Sequence, residues 1–379
     1  MAPTATVLGA LRRFLPEFLK PDPPLSPQQR RAIRAITRCR TPALGGDTYA
    51  CDCGHTHFAY HSCNHKACPQ CGVMATRRWV EREMGKLLNA PYFLVTFTLP
   101  AELRGCFFGP FAKQAYDLFF AAASGALRDK LASDKGLRAQ ENGFTALLHT
   151  WNQRLEFHPH IHCLVPGAGL DARGHYVRVK NPEFLLYLPH LQSAFRAHLY
   201  ELLKDSNWQV DPQVWRKDWG VHIQPAGSGG SALKYLSRYV ARTAITNARM
   251  AAVDQNAVTF RWKDRSDHNQ TKILTLPGVE FVGRYLRHVL PIGLRSIRYY
   301  GFCHPAAKAR RMRVQLHSGR TVQFGATEPA VSLGSIASPG PACPKCGRSM
   351  RLISSILPPQ RSRGPPLARS SITLISRAA

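Results

Sequence analysis

Acidic side chains are scarce in this sequence: 23 Asp and Glu stand against 51 Lys and Arg in 379 residues, a formal net charge of +28. The isoelectric point is accordingly near 10.2. A field of that sign favours polyanions, because each neutralised phosphate releases condensed counterions. Long apolar runs are missing as well. No stretch approaches the roughly 20 residues a membrane span needs. The opening MAPTATVLGALRRFLPEF places its arginines after its only apolar stretch, the reverse of a secretory signal. No basic amphipathic helix or lipidation motif directs the charge to a membrane surface, and there is no internal repeat. These absences predict a soluble cytoplasmic protein whose partner is nucleic acid. Structural RNA binding is the alternative that charge alone leaves open.

What is present divides the chain by texture. The apolar fraction of 44% is ordinary for a globular protein, and the length allows one large domain or two to three smaller ones. Residues 1–45 carry helical spacing in LRRFLPEFL and a Ser-Pro start before QQRRAIRAITRC. Residues 46–75 break all periodicity with a crowd of Cys, His and Gly, too poor in apolar side chains for a core without metal. Residues 88–302 alternate strands (YFLVTFTLP, FTALLHTW, HIHCLVPG, GVHIQPAG) with helices (FAKQAYDLFFAAASGALRDKLAS, FLLYLPHLQSAFRAHLYELLKD, SALKYLSRYVART). A second hairpin, VTFRWKD with KILTLP, is expected before a helix in VEFVGRYLRHVL. The pattern predicts an α+β fold with a mainly antiparallel sheet. Residues 303–379 form a basic tail. Beyond Pro305 it holds twelve Lys or Arg against the single acidic Glu328, and from Pro358 its Pro, Arg and Ser content predicts disorder.

Chemistry concentrates in two places within 88–302. In FHPHIHCLVPG, alternation on a strand points His160 and His162 to one face, about 7 Å apart along it, where two imidazoles can share a metal ion. Such alternation also suits a plain polar sheet face. If the preceding hairpin loop is centred between Leu155 and Glu156, His149 falls opposite His162 and Trp151 opposite His160. His149 is then the third ligand, with His158 and Gln153 of the loop as substitutes. A slip of one residue would send His149 to the other face.

In KYLSRYVAR, Tyr235 and Tyr239 are spaced i, i+4 and share a helix face. Paired tyrosines at that spacing commonly pack against a core. Here Leu233, Leu236 and Val240 form the apolar stripe, and at about 100° per residue the tyrosines fall roughly 110° from its centre. They share their side of the helix with Arg238 and Arg242, and Lys234 adds a third cation that can hold DNA phosphate. A tyrosine hydroxyl, with a pKa of about 10, is a poor nucleophile unassisted. A divalent ion that polarises the scissile phosphate makes its attack feasible. The products are a 5′-phosphotyrosine ester and a free 3′-hydroxyl, and the ester keeps the bond energy for rejoining. Two tyrosines permit two such links in turn.

Taken with SCNHKACPQC, YFLVTFTLP, HTWNQRLEFHPHIHCLVPG, KYLSRYVARTAITNARM and HVLPIGLRSIRYYGF, these motifs give a chain that resembles the two-tyrosine HUH transposases of rolling-circle insertion sequences, the IS91 family, from about Leu44 to Phe302. The resemblance implies an HUH endonuclease-type antiparallel sheet with flanking helices, its HUH strand central and its tyrosine helix beside it. It implies a transposase and bacterial mobile-element protein, associated with the nucleoid. The substrate would be single-stranded DNA at element ends and target, cut and transferred with Mg²⁺ or Mn²⁺. By motif position His160 and His162 inherit the metal role, and Tyr235 and Tyr239 the nucleophile role.

The cysteines predict a small N-terminal zinc ribbon that contacts DNA. With no export signal, five cysteines in one short segment point to metal before disulfides. Cys68-x2-Cys71 has the spacing of a zinc knuckle, with Cys51, Cys53 and Cys63 as further ligands. The family shows Cys-x2-Cys-Gly where this chain has Cys51-Asp-Cys53-Gly. Cys63 is therefore a possible replacement for Cys51, with His55, His57, His61 and His65 behind it. Cys343-Pro-Lys-Cys346-Gly is a second half-site. Its completion by Cys303 and His304, its pairing with another subunit, and an unmetallated state all remain open. Tyr299 and Tyr300 are adjacent, point apart, and are expected to be structural. A replication initiator or relaxase would use the same HUH chemistry, and a zinc-ribbon regulator would bind DNA without any covalent adduct.

Overall fold

The structure is a computed structural model describing residues 5–71, 73–204, 208, 210–240, 244–264, 266–320 and 340–357, with backbone alone at 73–75, 235 and 237–240. It opens with helices α1 (Val7–Leu19) and α2 (Pro27–Arg38), strands β1 (Gly46–Ala50) and β2 (Thr56–Tyr60), and helix α3 (Val73–Met84). Next come β3 (Tyr92–Thr98), α4 (Ala112–Ser133), β4 (Gly143–Trp151), β5 (Phe157–Pro166), β6 (Ala168–Leu170), β7 (Tyr176–Arg178) and α5 (Leu188–Lys204). The chain continues through β8 (Gly220–Pro225), α6 (Gly230–Val240), β9 (Met250–Val253), β10 (Ala257–Asp264), β11 (Gln270–Pro277) and α7 (Gly278–Arg287). It closes with β12 (Ile297–Gly301), α8 (Lys308–His317) and β13 (Arg351–Ile356). Two compact units result, one of residues 1–37 with 64–333 and one of 38–63 with 334–379.

The larger unit is built on a five-stranded sheet in the order β12-β4-β5-β3-β8, every neighbouring pair antiparallel. The middle strand is β5, buried along most of its length. Period-two alternation sorts the side chains. Phe93, Val95, Phe97, Ile161, Cys163, Val165 and Leu148 face one layer, formed by α4 and α5 with Phe119, Phe120 and Phe195. Tyr92, Leu94, Leu147 and Leu164 face the other, where Trp79 of α3 and Ala232, Leu233 and Leu236 of α6 cover them. The helix expected over FLLYLPHLQSAF begins only at Leu188, with Pro189 in its first turn, where a missing N–H costs nothing.

The hairpin expected from VTFRWKD and KILTLP is present as β10–β11, with β9 added at its side. Phe260 of this sheet packs 6.3 Å from Phe281 of α7. Helix α1 presents Val7, Leu11, Phe14 and Leu15 as a buried stripe. A side chain on Gly278 would collide with the Phe14 ring, so glycine is what lets α7 start against α1.

The smaller unit is a three-stranded antiparallel sheet in the order β13-β1-β2. Its first two strands come from the expected zinc module and its third from the expected basic tail. Across the register Tyr49 faces Leu352 on one side and His57 on the other. The tail is thus structured in part: α8 and β13 both fall within 303–379. The disorder expected from Pro358 onward lies outside the described residues. No helix among the described residues is long and apolar enough to cross a membrane.

Candidate active site

β4 and β5 form a hairpin across the five-residue loop 152–156. Its turn is fixed by the Asn152 side chain, which accepts the N–H groups of Arg154 (2.9 Å) and Glu156 (3.0 Å), and by Leu155 in the left-handed region at φ 60°. Trp151 pairs with Phe157, and a bulge between His149 and Trp151 then shifts the ladder so that His149 pairs with His160. Without that extra residue His149 would face Pro159 and point to the opposite layer. The sequence-based register, His149 opposite His162 and Trp151 opposite His160, is therefore corrected, by three residues at Trp151 and by two at His149. An even shift leaves the face unchanged, so the three histidines still meet.

Their ring centroids lie 5.1 Å (His149–His160), 4.6 Å (His149–His162) and 4.8 Å (His160–His162) apart. One ring nitrogen from each comes within 4.8 Å of the others. His160 Nδ1 donates to the His158 carbonyl at 2.7 Å. A carbonyl can only accept, so His160 keeps its proton on Nδ1 and its lone pair on Nε2. Thr96 Oγ1 lies 2.8 Å from His162 Nδ1 and orients that ring from β3. His149 is 1% exposed, and burial first, then the proximity of His162 and His160, holds its pKa well below the usual imidazole value. It is thus neutral at physiological pH, the form in which imidazole binds metal. Trp151 stacks on its ring at 5.5 Å. His158 is engaged elsewhere, its Nδ1 accepting from Arg104 at 3.0 Å, and it does not join the group.

α6 packs Leu233 and Leu236 onto Leu94, Leu147 and Leu164. Leu147 is the direct partner of His162, so α6 covers the same sheet face that carries the histidines. Tyr235 and Tyr239 lie four residues apart on this helix. Their side chains and that of Arg238 lie outside the described residues, as does all of Arg242. Lys234 is exposed.

Two neighbours escaped the sequence reading. Thr96 pairs with His162 on one side and with His222 of β8 on the other. Cross-strand partners share a face, so His222, exposed on the sheet edge, belongs to the histidine face. The alternation of GVHIQP was its only trace in the sequence. His288 closes the other end, with its ring 5.8 Å from Trp151 and Nδ1 3.2 Å from Thr150 Oγ1. Tyr299 and Tyr300 do point apart. Tyr299 takes a 2.9 Å hydrogen bond from Trp79 Nε1 and gives one of 3.1 Å to Glu83, whereas Tyr300 stacks on Phe144.

The five clustered cysteines do not form a single ligand set. Cys63 lies with Cys39 in the smaller unit, and Cys68 with Cys71 in the larger. Cys39 ends the α2 segment, outside the crowded stretch, and no spacing motif marked it. Cys51 and Cys53 are grouped with Cys343 and Cys346. Completion of the late pair by Cys303 and His304 is therefore corrected. Cys303 is half-buried, and desolvation pushes its thiol pKa up to about 12, while His304 Nδ1 caps a turn by accepting the Ala306 N–H. Of the histidines offered as substitutes, His61 pairs with Asp47 at 3.0 Å, and none of His55, His57, His61 and His65 joins either group.

Residues 143–311 match a family described as "Putative transposase", and residues 10–99 match the IS91-type "Transposase zinc-binding domain". "Putative transposase y4qJ" of Sinorhizobium fredii is 37% identical over 318 residues, covering 78% of this chain and 79% of the relative. "Transposase for insertion sequence element IS801" of Pseudomonas savastanoi pv. phaseolicola is 29% identical over 289 residues, covering 71% and 69%. No solved structure matches the chain. The zinc-binding match and the clustered thiols together support structural zinc.

Proposed function

The chain belongs to the IS91 family of transposases, with an N-terminal zinc-binding module, and on that premise we propose that it nicks and transfers single-stranded DNA through 5′-phosphotyrosine intermediates. The observation that carries this reading is the trio His149, His160 and His162 on a central antiparallel strand pair, with the helix bearing Tyr235 and Tyr239 packed on the same face. That arrangement is the one an HUH-type nuclease requires.

The donor set fits a divalent cation: three imidazoles, with the His160 tautomer fixed by a backbone carbonyl. No carboxylate belongs to the group among the described residues. An all-nitrogen set favours Mn²⁺ over the harder Mg²⁺. The ion supplies Lewis-acid polarisation of a non-bridging phosphate oxygen. The protein's own groups do the rest. One tyrosine hydroxyl attacks phosphorus as it loses its proton. The new bond joins tyrosine oxygen to phosphorus while the bond to the 3′-oxygen breaks, and that oxygen takes up a proton as the free 3′-hydroxyl. Lys234 and Arg238 of the same helix, with Arg242 two residues beyond its end in sequence, hold backbone phosphates. A 3′-hydroxyl then reverses the reaction on the ester and joins the strand elsewhere. The second tyrosine provides a second covalent link, so one strand can be held while another is exchanged.

Labelled single-stranded oligonucleotides carrying element ends, incubated with the protein and Mn²⁺, should give a covalent adduct that survives SDS. Tyr235→Phe and Tyr239→Phe together should abolish it, and each alone should leave a different subset of cleavage and transfer products. DNA binding with no adduct across ends and metals would instead identify a non-catalytic DNA-binding protein.

A further inference from the structure

A thiol quartet spans nearly the whole chain. Cys51 Sγ lies 3.4 Å from Cys346 Sγ, and Cys53 Sγ lies 3.7 Å from Cys343 Sγ, across sequence separations of 295 and 290 residues. Neither region matched to a family reaches Cys343. Four sulfurs each about 2.3 Å from a central Zn²⁺ stand about 3.8 Å apart in a tetrahedron. A disulfide would need about 2.05 Å. The observed spacing is that of metal ligands.

The backbone is shaped to match. Each cysteine pair closes on a glycine in the left-handed region, Gly54 at φ 83° and Gly347 at φ 74°. The Gly54 N–H donates to the Cys51 carbonyl at 2.9 Å, and the Gly347 N–H to the Cys343 carbonyl at 2.8 Å. The Cys51 N–H donates to the His55 carbonyl at 2.8 Å, and the Cys343 N–H to the Arg348 carbonyl at 2.7 Å. The two loops are thus alike in construction and bring their thiols together.

The packing around them is thin. The buried cluster of this unit consists of Cys51, Cys343 and Met350, with Tyr49 against it, and β13 is exposed along its whole length. A sheet with so little apolar burial needs a staple.

We propose that Cys51, Cys53, Cys343 and Cys346 bind one structural Zn²⁺ that clasps the C-terminal strand β13 to the N-terminal hairpin β1–β2. The four thiols give up their protons as the metal enters, and oxidation states do not change. The zinc ribbon of this chain is then finished by its far end, and loss of the metal releases β13 from β1. This site is independent of the phosphotyrosine reading.

The test uses the full chain. Metal analysis of the purified protein should show that Cys343→Ser with Cys346→Ser lowers bound zinc by one per chain. Cys51→Ser with Cys53→Ser should lower it by one, and all four substitutions together by the same one. Zinc content unchanged by the Cys343 and Cys346 substitutions, or losses that add to two, would overturn the proposal. Because such variants can misfold, the wild-type protein provides a second measurement. Cys51, Cys53, Cys343 and Cys346 should resist alkylation together and become reactive together as a chelator withdraws zinc, read by peptide mass spectrometry. If Cys343 and Cys346 are alkylated at the same rate before and after chelation, the clasp does not exist.

Discussion

His149 stands directly across from His160, and one bulge between His149 and Trp151 puts it there. The bulge changes the parity of the ladder, so a residue that would otherwise enter the aromatic layer under α4 and α5 is delivered to the histidine face. The proposed metal site depends on this irregularity as much as on the HxH pattern.

Replacing His149 with Ala should therefore weaken Mn²⁺ binding by about 10-fold or more, since even loss of an outer partner of a metal ligand costs 10- to 100-fold. Calorimetric titration of the wild type and the variant with Mn²⁺ and Mg²⁺ measures this. Equal Mn²⁺ affinity in both would remove His149 from the ligand set, and tighter Mg²⁺ than Mn²⁺ binding would contradict the donor-set argument.

His222 tests the reach of the same face. Two strands away from His160 and His162, about 10 Å at strand spacing, it is too far to share their ion but well placed to touch a bound DNA strand. His222→Ala should lower adduct yield at limiting DNA while leaving Mn²⁺ affinity unaltered. A parallel fall in both would mean that the substitution disturbs the sheet.

His288 should make stability depend on pH. It is half-buried against Thr150 and the Leu155 carbonyl. Burial, with a smaller contribution from Arg287 opposed by the Leu155 contact, lowers its pKa from 6.5 to about 4. As pH falls below 6.5 the unfolded chain takes up a proton that the folded chain refuses until about 4. The contribution is complete above pH 6.5 and is lost progressively down to about 4, up to about 3 kcal/mol. Urea unfolding at pH 7.5, 6 and 5 should show a shallower decline for His288→Gln than for the wild type. Identical declines would place the titration elsewhere.

Leu236, fully buried between α6 and the sheet, anchors the tyrosine helix. Leu236→Ala should cost about 2–5 kcal/mol of stability and reduce strand transfer far more than Mn²⁺ affinity, because the histidines sit on the strands and the tyrosines on the helix. Chemical denaturation, adduct assays and metal titration on one variant separate these effects. Loss of metal binding to the same degree would show that the helix also holds the ligands.

Tyr299 links α3 to β12 through Trp79 and Glu83. Tyr299→Phe leaves a nearly buried Glu83 with one partner fewer, Lys86 remaining at 2.7 Å, and should cost about 1–3 kcal/mol. Combined with Trp79→Phe the losses should fall short of additive, since both substitutions remove the same bond. Strict additivity in denaturation experiments would show that the pair is not coupled.

Local periodicity made much of this protein legible in its sequence. Alternation in FHPHIHC put His160 and His162 on one face, and helical spacing put Tyr235 and Tyr239 on one helix beside Leu233 and Leu236. Those relationships depend only on a period of two or 3.6, which the chain carries within a few residues. The His149 register was misjudged by two, because a bulge leaves no local signature. His222 went unnoticed because its relation to His162 runs through Thr96 on a third strand.

The cysteines show the same boundary at longer range. The sequence by itself determined that the N-terminal thiols are spaced for metal, that the chain favours nucleic acid and that its blocks are those of a transposase. The tertiary structure alone decided that Cys39 belongs with Cys63, and that Cys51 and Cys53 meet Cys343 and Cys346. Spacing specifies half a ligand set, since two thiols on one turn are positioned by the bonds between them. The other half is chosen by whichever strand completes the sheet, and that pairing is fixed only when residues about 300 positions apart are folded side by side.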